Sequence, residues 1–151
     1  MSFSLKIIGC IFILISGALC GISVSGRYLK REKILKEFLV GFDKAACRLK
    51  RGGADRAKII GESFGDVAFI DKNGKIIFSQ CGLKSDDRKI LEDFFSIFGN
   101  ESTEKELKNL DLTASLINIQ YESAVKEAEK NAPLYKTLGF CAGSILCILF
   151  I

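Results

Sequence analysis

Histidine and tryptophan are absent from the 151 residues, and only one proline is present. Without an imidazole, His-based acid–base catalysis, Ser–His and Cys–His nucleophiles and His metal ligands are excluded. The six cysteines form no Cys-x-x-Cys pair, so neither a zinc ribbon nor a thioredoxin-like redox site is supported. Gly52-Gly53, followed by Lys58, lacks the Gly-Lys-Ser/Thr ending of a phosphate loop, and neither a Gly-x-Ser-x-Gly elbow nor a kinase signature occurs. Asp71-Lys72-Asn73-Gly74 lacks the third ligand and the closing Glu of a calcium loop, and reads as a turn. The net charge of +4 is mild, without the concentrated basic face of a nucleic-acid binder. The carboxylates between Glu101 and Lys130 alternate with lysines as on a solvated helix face, with Glu122–Lys126 at the pairing interval. These absences leave no active site, metal site, cofactor or small-molecule substrate in view.

What is present is unevenly distributed. The chain is 48% hydrophobic yet 26% charged, with a mean hydropathy of +0.24, and the apolar residues gather at the two ends. Ile7 to Val24 carries no charge and would span about 27 Å as a helix, close to the hydrocarbon thickness of a bilayer. Leu138 to Ile151 is also uncharged; starting from Leu134, with Lys136 snorkelling, it too reaches about 27 Å. Both read as transmembrane helices. The alternative for the first is a cleavable signal peptide, with Lys6 as its positive region and Ser16-Gly17-Ala18 as the cleavage site. The basic flank of Arg27, Lys30, Arg31, Lys33 and Lys36 favours a retained anchor.

The same flank sets topology. Only Lys6 precedes the first span, whereas Lys126, Lys130 and Lys136 precede the second, so both spans predict a cytoplasmic middle and external termini. Cys10, Cys20, Cys141 and Cys147 fall within the spans, leaving Cys47 and Cys81 as small apolar filler in a reducing compartment. The expected organisation is a transmembrane helix in 1–26, a cytoplasmic helical domain in 27–137 and a second transmembrane helix in 138–151.

Within the middle region, Tyr28 to Arg51 reads as a helix, with Leu35, Phe38, Phe42, Ala45 and Leu49 forming one apolar stripe. Gly52-Gly53 ends it. A second long helix starts near Ser102 or Thr103, where Leu107, Leu110, Ala114, Ile117, Tyr121, Ala124 and Ala128 form a heptad seam. Paired antiparallel, the two seams would make a stalk. Leu112, Leu116 and Ile119 form a shorter apolar row on the opposite face, so this helix needs a second neighbour, in its own bundle or in a partner. Pro133 should kink or interrupt the helix after the seam. Asp86 to Phe98 reads as a third helix capped by Ser85 and ended by Gly99-Asn100, and Ala54 to Phe64 as a shorter one. Val67–Asp71 and Lys75–Phe78, flanking Asn73-Gly74, predict a small β-hairpin. The fold class is therefore mainly α: two transmembrane helices flanking a helical, antiparallel-bundle cytoplasmic domain.

The spans carry small-residue faces, Gly17-x-x-x-Gly21 continued by Ser25 and Gly139-x-x-x-Gly143 continued by Cys147. Such faces let helix backbones approach closely in lipid, although glycine is common in membrane helices generally. Gly17, Gly21, Gly139 and Gly143 are thus candidate membrane-helix packing residues, and Leu112, Leu116 and Ile119 candidate interface residues.

Lys130-Asn131-Ala132-Pro133-Leu134-Tyr135-Lys136-Thr137-Leu138-Gly139-Phe140-Cys141-Ala142-Gly143, running into a terminal apolar stretch, resembles the tail of the stage III sporulation protein AB family. The head, Leu5-Lys6-Ile7-Ile8-Gly9 with Gly21 and Arg31, is similar to that family too, as is Phe98-Gly99 with Ser102. The likeness covers Leu5 to Arg51 and Lys84 to the end; Gly52 to Gly82 is shorter than the family's usual all-helical segment. The resemblance implies a non-enzymatic membrane component of the mother cell–forespore channel. Its soluble part would be similar to platform proteins of type II secretion and type IV pili. The implied partners are a secretion-type ATPase and other stage III sporulation A membrane proteins, and the implied location is the mother cell membrane. The alternative is a membrane-anchored sensor or signalling stalk, which the heptads also suit.

Overall fold

The computed structural model describes residues 3–52, 56–65, 67–70, 76–78, 82–100 and 102–150. Its elements, in chain order, are α1 (Phe3–Lys50), α2 (Arg56–Phe64), β1 (Ala68–Ile70), β2 (Ile76–Phe78), α3 (Ser85–Ile97) and α4 (Thr103–Phe150). The chain is mainly helical, and α1 and α4 are each long and apolar enough to cross a membrane. Each apolar end is continuous with the amphipathic helix beside it. Ser25-Gly26-Arg27 contains no residue that forbids helix, and one interior glycine costs only about 1 kcal/mol. The interruption expected at Pro133 does not occur: α4 runs through it, and the Thr137 hydroxyl donates to the Pro133 carbonyl at 3.0 Å. A proline removes its own N–H but leaves its carbonyl available as an acceptor.

Packing divides the chain into two compact units, one formed by Met1–Leu29 with Val125–Ile151 and one by Lys30–Ala124. Hydropathy places boundaries after 26 and 137; packing places them after Leu29 and Ala124.

The 30–124 unit is built on the predicted stripes. Leu35, Phe38, Phe42, Ala45 and Leu49 of α1 are all buried, as are Leu110, Ile117 and Ala124 of the α4 seam, with Leu107, Ala114 and Tyr121 packed against them. The same core holds a phenylalanine cluster. The rings of Phe42 and Phe94 are 5.1 Å apart at 88°, and those of Phe64 and Phe95 are 5.4 Å apart at 83°. Such edge-to-face pairs contribute roughly 0.5–1.5 kcal/mol each beyond the area they bury. Gly52, with φ +83°, ends α1 in the left-handed conformation that a glycine adopts without steric cost.

β1 and β2 pair antiparallel with Ala68 opposite Phe78, Phe69 opposite Ile77 and Ile70 opposite Ile76. Residues 71–75, which include the predicted Asn73-Gly74 turn and the calcium-like stretch, lie outside the described residues, as do Gly53 and Cys81. Two strands alone are marginal. Here Val67, Ala68 and Phe78 are buried in the helical core, and Phe78 contacts Phe38 at 6.2 Å.

Candidate interaction sites

In the unit of 1–29 and 125–151, the small residues of α1 meet those of α4. A β-carbon added at Gly139 would lie 2.5 Å from the Gly17 carbonyl oxygen and 2.9 Å from the Gly21 Cα. One added at Gly17 would lie 2.7 Å from the Gly139 oxygen, and one at Gly21 would lie 2.6 Å from the Tyr135 oxygen. Gly143 is roomier, its nearest neighbour being the Leu14 Cα at 3.4 Å. All four predicted glycines therefore come together within the chain, and the two helices run antiparallel where they meet. Ser25 and Cys147, which extend the two faces, are both buried. The Ser25 hydroxyl has no hydrogen-bond partner among the described residues.

Outside this contact the same segments are apolar and uncovered. Phe12 is 69% exposed, Ile148 75% and Leu149 74%, and Ile8, Leu19, Leu138 and Ile145 are exposed as well. Side chains of this kind leave water only if a bilayer or another protein covers them. The hydroxyls of Ser23 and Ser144 donate to the carbonyls of Leu19 and Phe140 on their own helices, so neither presents an unsatisfied donor.

The rings of Tyr28 and Tyr135 stack at 5.7 Å and 14°. A hydrogen bond from the Tyr28 hydroxyl to Tyr135 holds the Tyr28 pKa above the ordinary tyrosine value, with smaller contributions from desolvation and from the charges of Tyr135 and Glu127. The neutral phenol is thus the form this contact favours.

In the 30–124 unit, Leu112, Leu116 and Ile119 stand on the outer side of α4, 59%, 41% and 63% exposed, while Leu110, Thr113 and Ile117 are buried. The predicted row is therefore uncovered among the described residues.

Spacing did not reveal a buried polar junction in the same unit. The Arg31 guanidinium donates to both oxygens of Asp87, at 2.8 and 3.0 Å, and to the Gln120 Oε1 at 3.1 Å. Asp87 also accepts from the backbone N–H of Lys84 at 3.0 Å. The start of α3 is thus fixed by Lys84 at the cap position and the Asp87 carboxylate reaching back, where the sequence suggested Ser85; the Ser85 hydroxyl instead faces Asp86 at 3.4 Å. A positional signal was available. Arg31 continues the α1 stripe one turn before Leu35, and Asp87 sits one turn before Leu91, so both occupy core positions. At the other end of α3, Gly99 with φ +91° donates its N–H to the Glu106 carboxylate at 2.6 Å, tying the turn to the first turn of α4.

Among the described residues, no group of three or more Cys, Asp or Glu is placed to hold a metal ion. The family model described as stage III sporulation protein AB matches residues 61–151. The match takes in 61–83, outside the stretches that carry the resemblance, and does not extend over Leu5–Arg51. No curated protein and no solved structure matches the chain.

Proposed function

Because the chain belongs to the stage III sporulation protein AB family, we propose that this sporulation protein acts as a non-enzymatic platform subunit of the channel joining mother cell and forespore. The observation that carries the reading is the glycine contact of α1 with α4, which supports reading the two apolar segments as a paired membrane anchor. In this reading the chain crosses the mother cell membrane twice, and the basic residues flanking the spans keep the Lys30–Ala124 unit in the cytoplasm. In this reading that unit is a helical bundle carrying a small β-hairpin. It offers Leu112, Leu116 and Ile119 to a partner, the secretion-type ATPase or another stage III sporulation A membrane protein.

Affinity purification of the full chain from sporulating cells in mild detergent, followed by identification of bound proteins, tests the assignment. The ATPase and other stage III sporulation A proteins are expected; recovery of none of them overturns it. Orientation is read from Cys47, which is exposed. A membrane-impermeant maleimide should label it only after the cells are permeabilised.

A further inference from the structure

One face of the 30–124 unit holds a cleft of about 360 Å³ between α1 and the carboxyl end of α2. Lys33, Lys36 and Lys44 line it together with a single acid, Glu37, which Lys33 approaches at 3.9 Å. Among the described residues Lys36 and Lys44 have no ion pair, so three lysines face one acid in the described lining. The apolar part of the lining includes the buried Phe64 and the exposed Val40. Ser63 also lines the cleft; it is 7% exposed, and its Oγ has no hydrogen-bond partner among the described residues. A buried hydroxyl left unpaired is costly, and a ligand acceptor would satisfy it.

We propose that this cleft is a docking site for an acidic protein segment that seats an apolar side chain on Phe64 and Val40 between flanking Asp or Glu residues. Lys36 and Lys44 pair with the carboxylates, and the Ser63 hydroxyl donates to a carbonyl or carboxylate oxygen. The volume suits one or two side chains rather than a whole element. A phosphate or lipid headgroup fits less well. The apolar lining offers it nothing, whereas an apolar side chain of a peptide can fill it. The proposal rests on the platform reading only in assuming a protein partner, and it gives that partner's contact segment a chemistry.

The test places the photocrosslinking amino acid benzoylphenylalanine at Val40 of the full chain in sporulating cells and sequences the adducts. The expected adduct is a protein segment in which acidic residues flank the crosslinked position. Lys36→Glu with Lys44→Glu should lower its yield by roughly tenfold or more, as should about 0.5 M salt applied to isolated membranes before irradiation. A phospholipid adduct, a neutral or basic segment, no adduct, or a yield indifferent to charge reversal each overturns the proposal. Its fate is separable from that of the platform assignment. An acidic-segment adduct in cells where no channel subunit co-purifies upholds the cleft and defeats the platform. Co-purification without such an adduct does the reverse.

Discussion

At Gly41 a methyl group would run into the ring of Phe64 and close on the Ser63 carbonyl, so only a hydrogen fits where α2 lies against α1. Gly41→Ala should destabilise the full chain by about 1–3 kcal/mol, through displacement of Phe64 from the phenylalanine cluster. Gly26, which has nothing within 4 Å of the same added atom, should gain up to about 1 kcal/mol as alanine. Urea unfolding in detergent, followed by circular dichroism, separates the two. The Arg31–Asp87 pair is read in the same way. Asp87→Asn leaves a guanidinium that is nine-tenths buried facing a neutral amide, and should cost about 3–5 kcal/mol; replacing both partners by apolar residues should cost far less. For Tyr28 the sign follows from the raised pKa. The contact with Tyr135 contributes fully below the ordinary tyrosine pKa and is lost as pH climbs through the elevated folded value. Ultraviolet titration should show Tyr28 ionising above the ordinary tyrosine range, and Tyr135→Phe should bring it back.

Among elements, α1 and α4 are held by a graded rather than a uniform glycine contact. Alanine at Gly17, Gly21 or Gly139 puts a carbon within 2.5 to 2.7 Å of a facing carbonyl oxygen and must force the helices apart. Alanine at Gly143 meets only ordinary van der Waals distances and should be tolerated. Leu14→Cys with Gly143→Cys, in a chain whose native cysteines are serine, should form a disulfide on mild oxidation. That disulfide should weaken with Gly21→Ala or Gly139→Ala; equal yields in both would show that the contact is not sterically limited. The helices themselves were legible, because the stripe from Leu35 to Leu49 and the seam from Leu107 to Ala124 are spaced as only a helix can bury them. Their joints were not. Whether α4 runs through Pro133 depends on packing along its length, and a single missing N–H is too small a signal to decide it.

For the molecule as a whole, the uncovered apolar surface is the feature that demands partners. Leu116→Glu with Ile119→Glu should leave unfolding free energy within about 0.5 kcal/mol of the parent, because both side chains already face solvent, yet should strip a bound partner in co-purification. Composition and periodicity by themselves determined that His chemistry is impossible, that both ends are apolar enough to span a bilayer, and which faces of the long helices are buried. These are local properties, written in residue type and spacing. Only the tertiary structure decided that the glycines of α1 meet those of α4, that Arg31 and Asp87 neutralise each other in the core, and that lysines of α1 share a cleft with Ser63 of α2. Each joins residues distant in sequence, and contact at that range is fixed by how the helices cross, which no periodicity along a single helix encodes.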